Sequence, residues 1–348
     1  MIFLRKTFKI VLISILCLFL VVALIAGFVL IPRHGSRISS NTWYGAESYD
    51  REKVQVLEKE SGQPFKILML TDLQLDVPFK SKAYLKSSIQ SMVDQNKPDL
   101  IVLTGDNVAG VLMHFHIKTV VSILESLGVP WAVVFGNHDR EFGNNLNYQA
   151  EQFLNAENCL FEPGPASVDG LGNYVINIEE EGRVVYSLFM MDSHGEIVTE
   201  TEKYFDTLRD SQVRWYQDNV AAIRAQEGRA VPSMMFCHIP VPEYRIAYNL
   251  AGGGSDQAAI LSGVRNEDEC TARDNSGFFD VFRKNGGTHL FAGHDHTNNY
   301  SVRYQGVVMT YGTKTGDYSG HLETQMGGTL ITIGDGVTVE QLIIPYNK

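Results

Sequence analysis

Side chains that can bind metal ions occur at five places along the 348-residue chain, and each place follows directly on a short apolar run. Oxygen and nitrogen donors are mixed in this set, which comprises Asp72, Asp106, Asn137, His238, His294 and His296. Such a mixture suits divalent or trivalent first-row metal ions better than calcium or a structural zinc ion. The set also exceeds the ligand number of one tetrahedral site. The residue types therefore predict a centre that holds two metal ions.

Two metal ions that share a bridging carboxylate can promote an in-line displacement at phosphorus. At a separation of about 3.5–4 Å they stabilise both the attacking and the leaving oxygen, and the nucleophile is a metal-bound hydroxide. A glycine directly precedes Asp106, Asn137 and His294, and it permits tight backbone turns that aim these side chains at a shared centre. The pattern therefore predicts chemistry at phosphorus.

The placement of the donors follows from an alternation of predicted strands and helices. Apolar runs at Phe65–Leu70, Leu100–Leu103 and Trp131–Phe135 predict strands. The amphipathic stretches Lys80–Asn96 and Phe115–Leu127 between them predict helices. Because the loops at the carboxyl ends of such strands meet at one edge of a sheet, we expect the donors to converge there.

Later apolar runs extend the predicted sheets. Strands are predicted at Val184–Met191, Val231–Phe236, His289–Phe291, Val302–Thr310, Thr329–Ile333 and Val337–Ile344, with a helix at Ser211–Ala225. The last three runs are separated by Gly-rich turns without a helix between them. The predicted fold class is therefore α/β (α+β), with two packed mixed sheets and helices outside them. A single domain of about 285 residues is at the upper end for one core.

The N-terminal segment predicts a membrane anchor. Arg5, Lys6 and Lys9 precede an uncharged run over residues 10–31. As a helix, about 22 residues at roughly 1.5 Å each can cross a hydrocarbon core of about 30 Å. The basic N-terminal side is expected to stay in the cytoplasm, which places the rest of the chain outside. The alternative is a cleaved signal peptide, and the protein would then be secreted.

This interpretation divides the chain into four parts. They are a cytoplasmic tail over residues 1–9, a transmembrane anchor over 10–31, a tether over 32–63 with a short helix at Lys53–Glu60, and an extracytoplasmic domain over 64–348.

Net charge and cysteine content narrow the possible partners. A formal net charge of −11 argues against a nucleic-acid partner held by a basic field. An anionic substrate must therefore be attracted locally, as metal ions would do. Four cysteines are too few for a disulfide scaffold. Cys159 and Cys270 could pair in an oxidising exterior, but the sequence contains no measure of the distance between them.

The five donor blocks, in their order, resemble the signature of the calcineurin-like metallophosphoesterases, which reads D-x-H, G-D-x-x, G-N-H-D/E, H and G-H-x-H. The matching blocks are Asp72-Leu73-Gln74, Gly105-Asp106-Asn107-Val108, Gly136-Asn137-His138-Asp139, His238 and Gly293-His294-Asp295-His296. The resemblance runs from about Phe65 to Ile344. Further segments are similar to the single-domain group named after purple acid phosphatases: Pro98–Val102, His238–Pro240, Gly263–Arg265 and Asn275–Phe279.

The resemblance implies a four-layer αββα sandwich and a division of the donors between two metal ions. Asp106 would bridge both ions, while Asp72 and His296 would bind the first. The second ion would be bound by Asn137, His238 and His294.

The resemblance also implies roles beyond metal binding. His138 would be the acid that protonates the leaving alkoxide. Asp139 would orient its imidazole as a supporting carboxylate. Independently of the resemblance, Arg265 and Lys314, each in a Gly-flanked loop, are candidates for holding a phosphate oxygen, and the alternative is that either is a surface charge.

Two positions depart from the family pattern. Gln74 stands where the signature has a histidine that binds the first metal ion, and an amide oxygen is a harder and weaker donor than imidazole. The alternative is that Gln74 makes no metal contact. Val108 stands where purple acid phosphatases have the tyrosine that colours their Fe(III) centre. The identity of the ions is therefore left open among Mn, Fe, Zn and Mg.

The function implied by the resemblance is a dinuclear-metal-dependent phosphoesterase, a phosphatase or a phosphodiesterase, whose partners are a phosphate-ester substrate and the membrane. Two alternatives stay open. One is a catalytically impaired surface binding protein that keeps the fold. The other is a phosphodiesterase acting on nucleotide or lipid headgroups. Neither the oligomeric state nor the physiological substrate follows from the sequence.

Overall fold

The computed structural model of the chain describes residues 9, 11–24, 49–76, 79–110 and 112–346. Residues 11–24 are helical, and no helix within these ranges is both long and apolar enough to cross a membrane. The cytoplasmic tail up to residue 8, the ends of the predicted anchor and the predicted tether up to residue 48 lie outside the described residues.

The described part from residue 49 onward alternates strands with helices in its first half and is rich in strands near its end. The strands are β1 Gln55–Glu58, β2 Phe65–Leu70, β3 Leu100–Thr104, β4 Trp131–Val134, β5 Tyr174–Glu180, β6 Arg183–Met190, β7 Glu196–Val198, β8 Lys203–Phe205, β9 Ser233–Phe236, β10 Ala258–Ser262, β11 Gly287–Ala292, β12 Ser301–Tyr304, β13 Val307–Tyr311, β14 Gly327–Ile333 and β15 Val337–Ile343. The helices are α1 Phe79–Asn96, α2 Met113–Glu125, α3 Leu146–Leu154, α4 Asp210–Glu227, α5 Glu243–Gly252 and α6 Phe278–Lys284, with a 3₁₀ helix at His138–Gly143.

Two mixed sheets form the centre of the fold. One has eight strands in the order β1-β5-β6-β9-β11-β13-β12-β10, and the other has five in the order β15-β14-β2-β3-β4. Within them β2, β3 and β4 are parallel, as are β6, β9, β11 and β13. The predicted α/β sandwich of two mixed sheets with helices is therefore confirmed. A separate two-stranded sheet pairs β7 with β8.

Alternate side chains of strand β6 are buried on opposite faces of the larger sheet. Leu188 and Met190 belong to a buried cluster that also contains Leu68 of the smaller sheet. Phe189 lies on the opposite face, in a second cluster with Tyr216 of α4. Since successive side chains of a strand point to opposite faces, one short run supplies both cores.

The structure departs from two local predictions. The predicted helix at Lys53–Glu60 is wrong, because Gln55–Glu58 forms β1 and pairs in parallel with β5 at the edge of the larger sheet. The single strand predicted over Val302–Thr310 is two strands, β12 and β13, which form an antiparallel hairpin. Gln305 and Gly306 at its turn have φ of 47° and 89°, the left-handed values that a tight hairpin requires.

The folded unit therefore begins before the predicted boundary at residue 64. Tyr49 contributes to it as well, because its hydroxyl accepts a hydrogen bond of 2.6 Å from Asn177 Nδ2 in β5. Cys159 and Cys270 are free thiols, so the possible bridge between them is not formed.

Candidate metal centre

The carboxyl ends of strands from both sheets meet at one place. Asp72, Asp106 and Asn137 follow β2, β3 and β4 of the smaller sheet, whereas His238 and His294 follow β9 and β11 of the larger sheet. A hydrogen bond of 2.9 Å between His238 Nδ1 and the Thr104 carbonyl joins the two edges. The convergence predicted for a single sheet edge is thus produced by two sheets facing each other.

The donor atoms lie close enough together to share metal ions. His238 Nε2 is 3.3 Å from Asp106 Oδ2 and 3.1 Å from Asn137 Oδ1. His294 Nδ1 is 3.2 Å from His238 Nε2, and His296 Nε2 is 3.3 Å from Asp72 Oδ1. Donor atoms of Asp72, Asp106 and His238 all lie within 4.8 Å of one another. The structure therefore brings together these six residues. Gln74, also predicted as a possible ligand, lies beside them with its Nε2 3.2 Å from Asp106 Oδ2.

Unusual backbone geometry aims these side chains. Asp72, Gln74, Asp106 and His294 have φ of 52°, 42°, 50° and 79°, a left-handed region that costs side-chain-bearing residues free energy. Close packing also requires Gly136, since a Cβ there would clash with Asp106 Oδ1. Such strain persists only where the surrounding structure determines it, and it is concentrated at functional sites.

The protonation and orientation of the donors fit a cation. Because His238 Nδ1 faces the Thr104 carbonyl and donates to it, Nε2 faces the centre, where a bound metal ion would replace its proton. Although burial lowers it, the Asp106 and Asp72 carboxylates raise the pKa of His238 to about 9. Within the described residues, no contact of the buried Asp72 Oδ1 has good hydrogen-bond geometry, and the oxygen faces His296 Nε2 at 3.3 Å. Two buried carboxylates and inward-facing imidazoles suit divalent metal ions.

His138 begins the 3₁₀ helix beside this cluster. Its Nε2 lies 3.7 Å from Asp106 Oδ2, and its backbone N–H donates to Asp106 Oδ1 at 2.8 Å. Its Nδ1 lies 2.8 Å from Glu141 Oε2, one helical turn further along. Although burial lowers it, the carboxylates of Asp106 and Glu141 raise the pKa of His138 above its usual value.

The prediction that Asp139 orients His138 is wrong, because the Asp139 carboxylate faces the backbone. It accepts hydrogen bonds from the N–H groups of Gly136, Asn107 and Val108 at 2.9, 3.0 and 3.1 Å, and from Asn107 Nδ2 at 3.0 Å. Asp139 is fully buried. Its role is to hold the loops after β3 and β4 together, and Glu141 is the carboxylate that contacts the imidazole.

Removing the Asp139 carboxylate is expected to destabilise the fold. Asp139→Ala leaves three buried backbone N–H groups without an acceptor, so the free energy of unfolding should fall by at least about 3 kcal/mol. Glu141→Ala, at a side chain that is 38% exposed, should change it by less than about 1 kcal/mol. Urea denaturation of both variants measures the difference, and equal losses would argue against this assignment.

Lys314 is a component of the centre that the sequence places only in a loop. It follows β13, is 2% exposed, and forms a parallel bridge with Thr71. Its Nζ donates to Gln74 Oε1 at 2.8 Å and to the Asp72 carbonyl at 3.0 Å. Its position directly after a strand is the same signal that marks the metal-binding residues.

Arg265 is engaged in ion pairs with acidic residues three and four positions further along the chain. Its guanidinium donates to Glu269 and to Asp268 at 2.8 Å each, and it lies 5.4 Å above the Tyr248 ring. Arg140 of the 3₁₀ helix pairs with the buried Asp192, and this ion pair attaches the helix to the end of β6. No pattern in the sequence predicted it.

Comparison with known proteins identifies a family and several similar proteins. Residues 65–298 match the family model described as calcineurin-like phosphoesterase. A protein of Arabidopsis thaliana named probable inactive purple acid phosphatase 14 is 26% identical over 74% of this chain and 71% of its own length. The phosphatase DCR2 of Saccharomyces cerevisiae is 27% identical over 74% of this chain and 48% of its own length. The solved structure of purple acid phosphatase PPD1 from yellow lupin seeds has a TM-score of 0.46 at 13% identity, covering 81% of this chain and 52% of that one.

Proposed function

The chain belongs to the calcineurin-like phosphoesterase family. We propose that it is a dinuclear-metal-dependent phosphoesterase. The observation that carries the proposal is the convergence of Asp72, Asp106 and His238, buried and within 4.8 Å of one another, from both sheets. Divalent ions held by these donors would supply Lewis-acid activation of water and of the phosphoryl group.

The donors divide into two groups around one carboxylate. Asp106 would be the shared ligand, since its Oδ2 lies 3.3 Å from His238 Nε2 and donor atoms of Asp72, Asp106 and His238 lie within 4.8 Å of one another. Asp72 and His296 form the first position. Asn137 and His294 join His238 in the second position, where their distances to His238 Nε2 are 3.1 and 3.2 Å.

His138 is proposed to protonate the leaving oxygen. Its side chain is 30% exposed, so the imidazole borders both the buried cluster and the solvent-accessible side from which a substrate enters. Glu141 binds Nδ1 and stabilises the charged imidazolium, which holds a transferable proton at Nε2. Near neutral pH this acid is suited to a phosphate ester with a poor leaving group.

The assay for this proposal is hydrolysis of p-nitrophenyl phosphate and its bis-ester by the full-length chain in detergent. We expect turnover of at least one ester with added Mn²⁺, Fe²⁺, Zn²⁺ or Mg²⁺, and none with a chelator present. The ratio of the two rates separates a phosphatase from a phosphodiesterase acting on nucleotide or lipid headgroups. No turnover with any of the four ions would contradict the proposal.

A second candidate is a binding protein that keeps the fold but has lost catalysis. Two observations favour it: Gln74 replaces a family histidine, and a relative carries the word inactive in its name. Metal content separates the candidates, because a binder with a decayed site should retain less than one equivalent of metal after dialysis. The buried Asp106 and His238 argue for the enzyme, since unused buried polar groups are costly.

We also propose a single N-terminal anchor over residues 10–31 with the catalytic domain outside the cytoplasm. The support is the uncharged sequence preceded by three basic residues. The mass of the mature N-terminus distinguishes an anchor from a cleaved signal peptide.

We also propose that the layers of the fold follow the order helix, sheet, sheet, helix. The alternate burial of Leu188 and Phe189 on the two faces of β6 supports this order.

A further inference from the structure

A buried ammonium group lies beside the first metal position. Lys314 is 2% exposed, and its Nζ contacts the Gln74 side chain and the Asp72 backbone carbonyl at 2.8 and 3.0 Å. A buried lysine requires compensating negative charge, which the Asp72 and Asp106 carboxylates supply together with the weaker effects of Asp317 and Glu267. This cation is built into a site whose role is to attract other cations.

Lys314 determines which way the Gln74 amide points. An ammonium group has three donors and no acceptor, so the atom of Gln74 that faces it must be the oxygen. The amide nitrogen consequently faces the centre, 3.2 Å from Asp106 Oδ2 and 3.1 Å from His296 Nε2. An amide NH₂ group is a donor only and cannot bind a metal ion.

Gln74 has little freedom to adopt the opposite orientation. Its side chain is fully buried, and its backbone φ of 42° lies in the left-handed region. Turning the amide would place its NH₂ group against the Lys314 ammonium, where the amide has no acceptor and the ammonium keeps only the Asp72 carbonyl. The pair therefore removes one ligand from the first position and directs a hydrogen-bond donor into it.

The positive charge of Lys314, like the orientation of the Gln74 amide, disfavours binding of a metal ion at the first position. Asp72 and Asp106 are the two carboxylates of the donor set, and Lys314 neutralises one of their charges before any metal ion binds. Two divalent ions beside this ammonium would concentrate positive charge in a buried site, whereas one ion leaves the cluster closer to neutral.

We propose that Lys314 and Gln74 make the centre asymmetric. Asp106, Asn137, His238 and His294 hold one divalent ion tightly, whereas Asp72 and His296 hold a second one weakly because the Lys314 ammonium partly substitutes for it. This inference rests on the proposed metal centre. It assigns Lys314 and Gln74 as positioning residues that set metal occupancy.

Metal binding to the full-length chain tests this assignment without an activity assay. The variants are Gln74→His, Lys314→Met and the double variant, and Lys82→Met, which removes an exposed lysine of α1, is the matched control. A neutral histidine at position 74 has one lone pair, which can bind a metal ion when it faces the centre, while the Lys314 ammonium keeps the Asp72 carbonyl as its acceptor. Gln74→His keeps the buried lysine, so it remains informative even where Lys314→Met and the double variant do not fold. Circular dichroism detects such a failure to fold.

Titration calorimetry with Mn²⁺ should show one tight site in the wild type and a second that is at least about 10-fold weaker. Gln74→His and the double variant should tighten the second site by about 10–100-fold. Electron paramagnetic resonance should change from an isolated Mn²⁺ signal to that of a coupled pair. The Lys82→Met control should match the wild type.

Two equally tight Mn²⁺ sites in the wild type would overturn the inference but not the proposed metal centre. An unchanged Mn²⁺ affinity of the second site in folded Gln74→His would also overturn only the inference. Failure of every variant to bind Mn²⁺ would instead overturn the proposed centre itself, and the inference with it.

Discussion

Asp106→Asn is expected to reduce kcat/KM for phosphate-ester hydrolysis by about 10³-fold or more and to deplete bound metal. The Asp106 carboxylate lies 3.3 Å from His238 Nε2 and 3.2 Å from Gln74 Nε2, between the two groups of donors. Asparagine keeps the size of the side chain but removes its charge and replaces one acceptor oxygen with a donor. A shared ligand therefore becomes a group that repels cations, and both ions lose it.

The measurement is kcat/KM together with metal content after dialysis. Asp94→Asn, at an exposed carboxylate of α1, is the matched control and should leave both quantities unchanged. Full metal content and undiminished turnover in Asp106→Asn would show that the carboxylate is not a metal ligand. Circular dichroism should confirm that the variant is folded, because Asp106 Oδ1 also accepts the His138 N–H.

His138→Gln should separate proton transfer from metal binding. General acid catalysis contributes about 10²–10⁴-fold, and it matters most when the leaving group is a strong base. We therefore expect kcat to fall by about this factor for an alkyl phosphate and by much less for p-nitrophenyl phosphate, whose leaving group needs little protonation. Metal content should be unchanged, because His138 is proposed as the acid and not as a metal ligand.

Glu141→Gln is the companion variant, since it removes the carboxylate that binds His138 Nδ1 but leaves the imidazole in place. It should lower turnover of the alkyl phosphate by less than His138→Gln does. Equal losses on both substrates in His138→Gln would contradict the acid role and point to stabilisation of phosphoryl charge instead.

Local patterns predicted most strands correctly because buried strands in such a fold are continuous apolar runs. They failed at Gln55–Glu58, where the strand is decided by a partner in β5 more than a hundred residues away. Alternation of half-buried and exposed residues over so short a segment does not distinguish a strand from a helical turn.

Within the site, the role predicted for Asp139 is wrong because adjacent residues of a helical turn point in different directions. Glu141, three residues after His138, lies on the same face and makes the contact. The i to i+3 spacing was visible in the sequence, but choosing it required knowing that His138 begins a 3₁₀ helix.

The sequence by itself determined the donor types, their order and their positions after strands, because these are properties of residue type and local hydrophobicity. Only the tertiary structure decided that two sheets face each other to join Asp72 and Asp106 with His238 and His294. It also decided the role of Gln74. The direction of an amide depends on its neighbours, and the neighbour that matters, Lys314, is 240 residues away in the chain.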